Sequence, residues 1–309
     1  MHGPVFATAP GRCGILGNPS DIYGGKVLSC SVPARARCTL TASDDWVLPD
    51  DTRLWDACMA RYPTEEPLQV EWETAVPRSS GLSGSTALLA STLASLLAFR
   101  GEEPALDSPK ALADYAELVR DIERNEANIV CGYQDAYMIV HGGLQLMDFA
   151  GKHPKIPGPN ATLKPIDAAL PFILVTTGVE RLSGSVHGPM AERWIAGEAV
   201  VVDAIARISE LAEPGSEMLE RGDLGRLAAL MNENQELIAS VGGSGDAIDL
   251  LVSRSISHGA LAAKLAGAGM GGTIIALTES PDQLERALRA DGYTRFMVPS
   301  RQPGVGYVR

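Results

Sequence analysis

The segment PRSSGLSGSTALL, residues 77–89, carries residue types that hold a phosphate group. Gly81 and Gly84 let the backbone approach a ligand closely, and a helix that starts here offers unpaired N–H groups and a positive dipole end. Ser83, Ser85 and Thr86 add hydroxyls that cap a helix, bind phosphate oxygens or ligate Mg²⁺. Taken alone, the segment favours plain helix capping over phosphate binding, because Ser and Gly are common before helices.

The segment GAGMGGT, residues 267–273, is a second glycine-rich stretch. It is not a Walker loop, because Thr273 stands where the lysine is required. A predicted helix precedes it and a predicted strand follows it, the reverse of the order in a dinucleotide-binding fingerprint. A loop that lines a ligand and a plain turn between helix and strand both remain open.

Polar residues also fall on short turns between the strands predicted near the N-terminus. The stretch APGRCGILGNPSDIYGGK places Arg12, Asn18, Ser20 and Asp21 at such turns. Turns are favoured places for binding groups, although Asn-Pro-Ser-Asp is also ordinary turn chemistry. From this stretch alone the structural interpretation is favoured.

Two acids of the stretch IERNEANIVCGYQDAY, Glu123 and Asp135, fall near predicted structural corners. Glu123 falls near the end of a predicted helix, at the edge of its apolar stripe, so exposure to solvent is expected from the sequence alone. Asp135 follows a Cys-Gly break and comes just before the first strand of a predicted hairpin. The turn of this hairpin is predicted at His141, Gly142 and Gly143.

The elements that must position these residues alternate in type along the chain. Strands are predicted from Pro4 to Ser43 and near 68–76, a buried helix from Ser85 to Phe99, and a linker from 151 to 171, where five prolines fall. Further elements are a helix at 109–128, a strand at 172–178, helices at 190–212, 223–239 and 246–266, a strand at 273–277, a helix at 281–290 and a strand near 294–300. Mixed elements on both sides of the linker predict an α+β pair of domains, residues 1–165 and 166–309.

Composition narrows the class of protein. The chain has 309 residues, 45% of them apolar, and a net charge of −12, so nucleic acid is not an expected partner. Five cysteines without a CxxC pair predict reduced thiols rather than a zinc site or disulfides. No signal peptide or membrane span is predicted, and we expect a cytoplasmic protein without a membrane partner.

Taken in order, three of these segments resemble the motifs of the GHMP kinases. PGRCGILGNPSDIYGG resembles the first family motif, PRSSGLSGSTA the phosphate-binding second and AAKLAGAGMGG the third. Within the family, GNPSD in the first motif and CGYQDAYMIVHGGLQLMDF are similar to glucuronokinases. Thr86 and Ala136 depart from the family pattern.

The resemblance implies a role for each motif residue. Asp135 would be the catalytic base, although some members of the family are argued to work without that step, and Arg12 would stabilise the transferring phosphoryl group and keep Asp135 ionised. Ser85 and Glu123 would hold Mg²⁺. The ATP phosphates would be bound by the second motif, at Pro77, Gly81, Leu82, Ser83, Gly84, Ser85 and Thr86. The substrate would be bound by Asn18, Ser20, Asp21, Gly269, Gly271 and Gly272.

The resemblance also implies a fold and an activity. The fold would be the two-domain GHMP kinase fold, with an N-terminal mixed β/α domain and a C-terminal ferredoxin-like domain, as a monomer or homodimer. The activity would be ATP-dependent phosphorylation of a small sugar or sugar acid, with the anomeric 1-hydroxyl of glucuronic acid as the favoured acceptor. A kinase for another polyol or amino alcohol and a non-catalytic sensor of ATP and sugar are the alternatives. Candidate cations for a sugar carboxylate are Arg181, His187 and Arg193.

Overall fold

A computed structural model describes residues 3–77, 79–179, 184–267, 269 and 271–308. The first of its two sheets begins with a long antiparallel pair, β1 (Val5–Leu16) and β2 (Lys26–Ala42). A short 3-10 helix, Ser20–Tyr23, lies between these strands. The other strands of this sheet are β3 (Leu68–Thr74), β4 (Leu144–Asp148), β5 (Thr162–Pro165) and β10 (Gly306–Val308). The order is β10-β1-β2-β4-β5, with β3 also paired to β2.

Four helices accompany the first sheet: α1 (Arg53–Arg61), α2 (Gly84–Phe99), α3 (Pro109–Asn125) and α4 (Tyr133–His141). The helix α2 is apolar or small on all sides and packs on β1, β2 and the other three helices. Such a composition is typical of a helix inside a core. Its buried Ser95 accepts a hydrogen bond from Ala7 N and donates one to Cys38 O, so the helix is tied to both long strands.

The second sheet contains β6 (Phe172–Thr176), β7 (Ala262–Leu265), β8 (Thr273–Leu277) and β9 (Phe296–Met297) in the antiparallel order β7-β8-β6-β9. The helices of this part are α5 (Gly184–Ile195), α6 (Ala199–Glu210), α7 (Ala212–Arg221), α8 (Leu224–Ser240), α9 (Asp246–Ser257) and α10 (Pro281–Ala290). Strand order and the sequence of strands and helices are those of a ferredoxin-like layer. The predicted α+β class is confirmed, with strands and helices around each of the two sheets.

Four of the predicted elements are wrong in type or extent. Residues 133–141 form the helix α4 and not the first strand of a hairpin, and residues 262–265 form the strand β7 and not the end of a helix. The predicted linker contains β5, and the helix predicted at 190–212 is interrupted after Ile195 and after Glu210. The strand β10 returns to the first sheet, and the domain boundary at residue 165 stays a prediction.

Candidate active site

The loop before α2 has an open helix start. Ser83, the residue before the helix, has φ +60°. Its carbonyl oxygen accepts a hydrogen bond from Ala87 N at 3.0 Å. Its side chain does not cap the helix, and its buried Oγ has no hydrogen-bond partner among the described residues. The capping interpretation therefore does not account for Ser83, while the first-turn N–H groups are suited to an anion.

The three glycine-bearing segments lie against one another. Arg12 N donates to Leu82 O at 3.1 Å, and Gly14 N donates to Ala266 O at 2.8 Å. Gly272 has φ +88°, and a Cβ on it would lie 2.6 Å from Ser80 O. A side chain at 272 would push the loop from Ala266 to Gly272 away from the phosphate loop, so a glycine is needed for this close approach.

The other loop glycines shape the backbone in the same way. Gly269 has φ +98°, and a Cβ there would be 1.6 Å from Gly243 O. Gly271 has φ +131° and lies beside Val179. Their predicted contact with substrate stays a prediction.

Arg12 and Asp135 form an ion pair between β1 and the first turn of α4. Arg12 Nε and Nη2 lie 2.7 and 2.6 Å from Asp135 Oδ1, and the two side chains are 5% and 16% exposed. Arg12 Nη1 donates to Gly81 O at 2.7 Å and to Ala266 O at 3.3 Å. One guanidinium therefore connects the predicted base to the second and third motifs.

Glu123 is buried at the end of α3 and faces the start of α2. Its exposed fraction is 1%, contrary to the exposure expected from the apolar stripe. Ser85 Oγ donates to Glu123 Oε1 at 2.9 Å, and Thr86 Oγ1 lies 3.0 and 2.8 Å from the two carboxylate oxygens. Burial raises the pKa of Glu123 to about 7, and the charge of Asp135 adds to this rise while the Thr86 and Ser85 hydrogen bonds oppose it. Thr86, predicted to contact ATP, is placed against this acid.

Asp21 is fully buried and binds the start of α4. Asp21 Oδ2 accepts hydrogen bonds from Tyr133 N at 2.6 Å and Gln134 N at 3.0 Å, and Oδ1 accepts one from Gln134 Nε2 at 3.3 Å. The carboxylate thus caps the helix that carries Asp135. Burial raises the pKa of Asp21.

The two other first-motif residues predicted to bind substrate are buried as well. Ser20 Oγ donates to Lys26 O at 3.0 Å. Asn18 Nδ2 donates to Gly267 O at 3.0 Å, and Asn18 Oδ1 accepts from Lys264 Nζ at 2.7 Å. In this structure both side chains are 0% exposed and connect backbone segments.

Of the candidate cations for a sugar carboxylate, only Arg193 has a side chain within the described residues. Arg181 and the side chain of His187 lie outside the described residues. Arg193 pairs with Glu198 at 2.6 Å and donates to Val241 O at 2.6 Å. A cavity of about 220 Å³ does adjoin the phosphate loop, and it is lined in part by Ser79, Ser80, Thr177 and Arg295.

Sequence reasoning missed Lys264 and Gln134. Lys264 is 0% exposed, whereas a lysine in an alanine-rich stretch is expected to be solvated. Gln134 is 3% exposed and its Oε1 has no partner within the described part of the chain. Its place directly before Asp135 was the only signal available.

The geometry suits phosphoryl transfer. Such a reaction requires positioning and charge neutralisation rather than a covalent intermediate. An open helix start, a buried arginine on a carboxylate and a buried acid beside a hydroxyl supply these functions within one cleft. The class of protein defined by this fold and site is a small-molecule kinase.

Comparisons with known proteins give the family. The family model "GHMP kinases N terminal domain" matches residues 52–143, and "GHMP kinases C terminal" matches residues 216–293. Probable glucuronokinase 2 of Arabidopsis thaliana is 28% identical over 326 aligned positions, which cover 91% of this chain and 87% of that protein. D-glycero-alpha-D-manno-heptose 7-phosphate kinase of Campylobacter jejuni is 26% identical, with 94% and 95% covered.

A solved structure shows the same fold. The galactokinase of Lactococcus lactis, crystallised with galactose, superimposes with a TM-score of 0.79 at 16% identity, and covers 99% of this chain and 95% of the galactokinase. The chain belongs to the GHMP kinase family and is an ATP-dependent small-molecule kinase. Within the described residues, no helix is long and apolar enough to cross a membrane.

Proposed function

We propose that this kinase transfers the γ-phosphoryl group of Mg²⁺-bound ATP to a hydroxyl of a small sugar or sugar acid, and that the acceptor is the anomeric 1-hydroxyl of glucuronic acid. The acceptor is supported by the likeness to a glucuronokinase along nearly the whole chain and by the GNPSD form of the first motif. Galactose and heptose phosphates, named by two of the similar proteins, are the first comparison substrates.

The Arg12–Asp135 pair is the observation that carries the proposal. Asp135 Oδ1 accepts hydrogen bonds from Arg12, whereas Asp135 Oδ2 makes no hydrogen bond within the described residues. This second oxygen suits an acceptor hydroxyl, either to take its proton or to orient it electrostatically. Because Arg12 also donates to Gly81 O, it fixes the position of Asp135, and so of the acceptor hydroxyl, relative to the phosphate loop.

The surroundings of Glu123 fit Mg²⁺. Among the described residues, no cation pairs with this buried carboxylate, whose pKa is raised, and the Ser85 hydroxyl lies 2.9 Å from it. Mg²⁺ is usually held by one or two protein oxygens, with phosphate oxygens and water completing its shell. Glu123 and Ser85 would hold the ion, which neutralises charge on the transferring phosphates when it is bound.

The test is ADP release with Mg-ATP and a panel of free acceptors: glucuronic acid, galacturonic acid, galactose, a heptose 7-phosphate, mevalonate and homoserine. We expect the highest kcat/KM for glucuronic acid, and ³¹P NMR of the product showing a phosphate on the anomeric carbon. Preference for a polyol or amino alcohol would contradict the acceptor. Binding of ATP and sugar without turnover of any acceptor would identify a sensor.

Asp135→Asn tests the role of the predicted base. We expect kcat to fall on the order of a hundredfold or more, with ATP affinity retained, because the hydroxyl loses its proton acceptor. Asp114→Asn is the control, since this acid forms an exposed pair with Lys110. Full turnover by Asp135→Asn would rule out its assignment as base.

A further inference from the structure

Lys264 is a fully buried lysine with neutral partners. It lies in β7, and its Nζ donates to Asn18 Oδ1 and to Leu265 O, both at 2.7 Å. No carboxylate lies within ion-pair distance of Nζ in the described part of the chain. Burial lowers the pKa of Lys264 to about 7, and the like charge of Arg12 contributes. Burial of an unpaired ammonium is unfavourable, so packing alone does not explain a lysine at this position.

The partner of Lys264 leads directly to the glycine loop. Asn18 presents its Oδ1 to Lys264 and its Nδ2 to Gly267 O at 3.0 Å. Gly267 in turn touches the phosphate loop, because a Cβ on it would lie 2.6 Å from Gly81 O. The contacts therefore run from β7 through the first motif and the glycine loop to the phosphate loop.

The carbonyl oxygen of Ala266, the residue before Gly267, is also bound by residues of the first motif. Ala266 O accepts hydrogen bonds from Gly14 N and from Arg12 Nη1. A shift of residues 265–267 would thus move the arginine that binds Asp135. The side-chain amide of Asn18 is held by hydrogen bonds at both its oxygen and its nitrogen. Lys264 supplies one of these two bonds, so its removal would free the amide to rotate.

We propose that Lys264 is a positioning residue, which orients Asn18 and through it holds the glycine loop of the third motif against Arg12 and the phosphate loop. Asn18 on this view acts on the loop and not on the acceptor. The inference rests on the kinase reaction and is independent of which acceptor is used.

Lys264→Met tests the proposal, because it keeps the length of the side chain and removes its donors. We expect kcat/KM for ATP to fall by about tenfold to a hundredfold, as for a displacement of reacting groups by about 1 Å. The KM for the acceptor should stay within about twofold. ATP affinity measured by calorimetry without acceptor should fall as well, and this measurement does not depend on the acceptor assignment.

Stability separates positioning from a merely structural role. Lys264→Met relieves the burial of an ammonium but leaves Asn18 Oδ1 and Leu265 O without a donor, and these opposing effects should keep its melting temperature close to that of the wild type. Lys152→Met is the matched control, since Lys152 is also buried but pairs with Glu117 at 2.5 Å. It should melt lower and keep its ATP parameters. Parallel loss of stability and activity in Lys264→Met, or unchanged ATP parameters, would overturn the proposal.

A double-mutant cycle tests the route through Asn18. If Lys264 acts through Asn18, Lys264→Met combined with Asn18→Ala should lose about as much kcat/KM as the larger single change. If the double variant instead shows the product of the two single losses in kcat/KM, Lys264 and Asn18 act independently and the proposal is overturned. If Lys264→Met does not fold, Lys264→Leu replaces it in both experiments with the same expectations, because it also lacks a donor for Asn18.

Discussion

Glu123 and Asp21 are two buried acids of the same cleft with different partners. Their exposed fractions are 1% and 0%, and burial raises the pKa of each, with the charge of Asp135 adding to both. Glu123 accepts hydrogen bonds from side-chain hydroxyls of α2, one of them on the exposed Ser85. Asp21 accepts from backbone N–H groups of α4. Hydroxyls rotate to admit a cation, whereas backbone N–H groups stay in place, and this difference supports the proposal that Glu123 binds Mg²⁺ while Asp21 caps a helix.

The largest effect is expected for Glu123→Gln. The amide cannot supply the charge that holds Mg²⁺ on the phosphates, so kcat should fall on the order of a hundredfold or more at physiological Mg²⁺. Turnover measured over a range of Mg²⁺ concentrations should recover partly at high concentration. Glu213→Gln, at an exposed pair with Lys26, serves as the control. An unchanged Mg²⁺ dependence would remove Glu123 from the metal site.

A smaller effect is expected for Asp21→Asn. Loss of the charged cap should lower the free energy of unfolding by about 1–3 kcal/mol and reduce kcat by about tenfold, because α4 carries Asp135. The acceptor KM should change little. Ser108→Ala is the matched cap variant, since Ser108 caps α3 through Ala111 N, and it should lose about 1 kcal/mol with kcat retained. A raised acceptor KM with kcat unchanged would show instead that Asp21 binds the sugar, as the family resemblance implies.

The smallest effect on turnover is expected for the last prediction, which concerns only the pH dependence of stability. The pKa of Glu123 is about 7 in the folded protein against 4.5 as its ordinary value, so the folded state retains a proton that the unfolded state releases between these pH values. Without Mg²⁺, the contribution of Glu123 is full below pH 4.5 and is lost as the pH rises through 7. Urea unfolding in EDTA at pH 5 and pH 8 measures it, and the difference should shrink in Glu123→Gln. An equal pH difference in both proteins would contradict the raised pKa.

Much of the cleft was predictable from local signals. The glycine and serine pattern at 81–86 gave the start of α2, and the order of three motifs identified the family. The structure brings Arg12, Asp135, Ser85 and Glu123 into one cleft. Their roles in catalysis stay predictions.

The misassigned elements have a common physical cause. The segment Tyr133–His141 is rich in aromatic and branched residues that favour strands, but it is a helix buried on nearly all sides, without an amphipathic pattern. Its cap, Asp21, lies 112 residues away along the chain. The segment Ala262–Leu265 has the composition of a helix and is a buried strand. Tertiary contacts decide both cases, and they leave no trace within a local window.

The strand β10 has a mechanical consequence for the cleft. The chain leaves the first sheet after β5 and comes back to pair with β1 through β10, and Arg35 holds the returning segment through Pro303 O and Gly304 O. Two chain connections therefore join the two sheets, one after β5 and one before β10. Any displacement of one sheet against the other has to deform both connections instead of one.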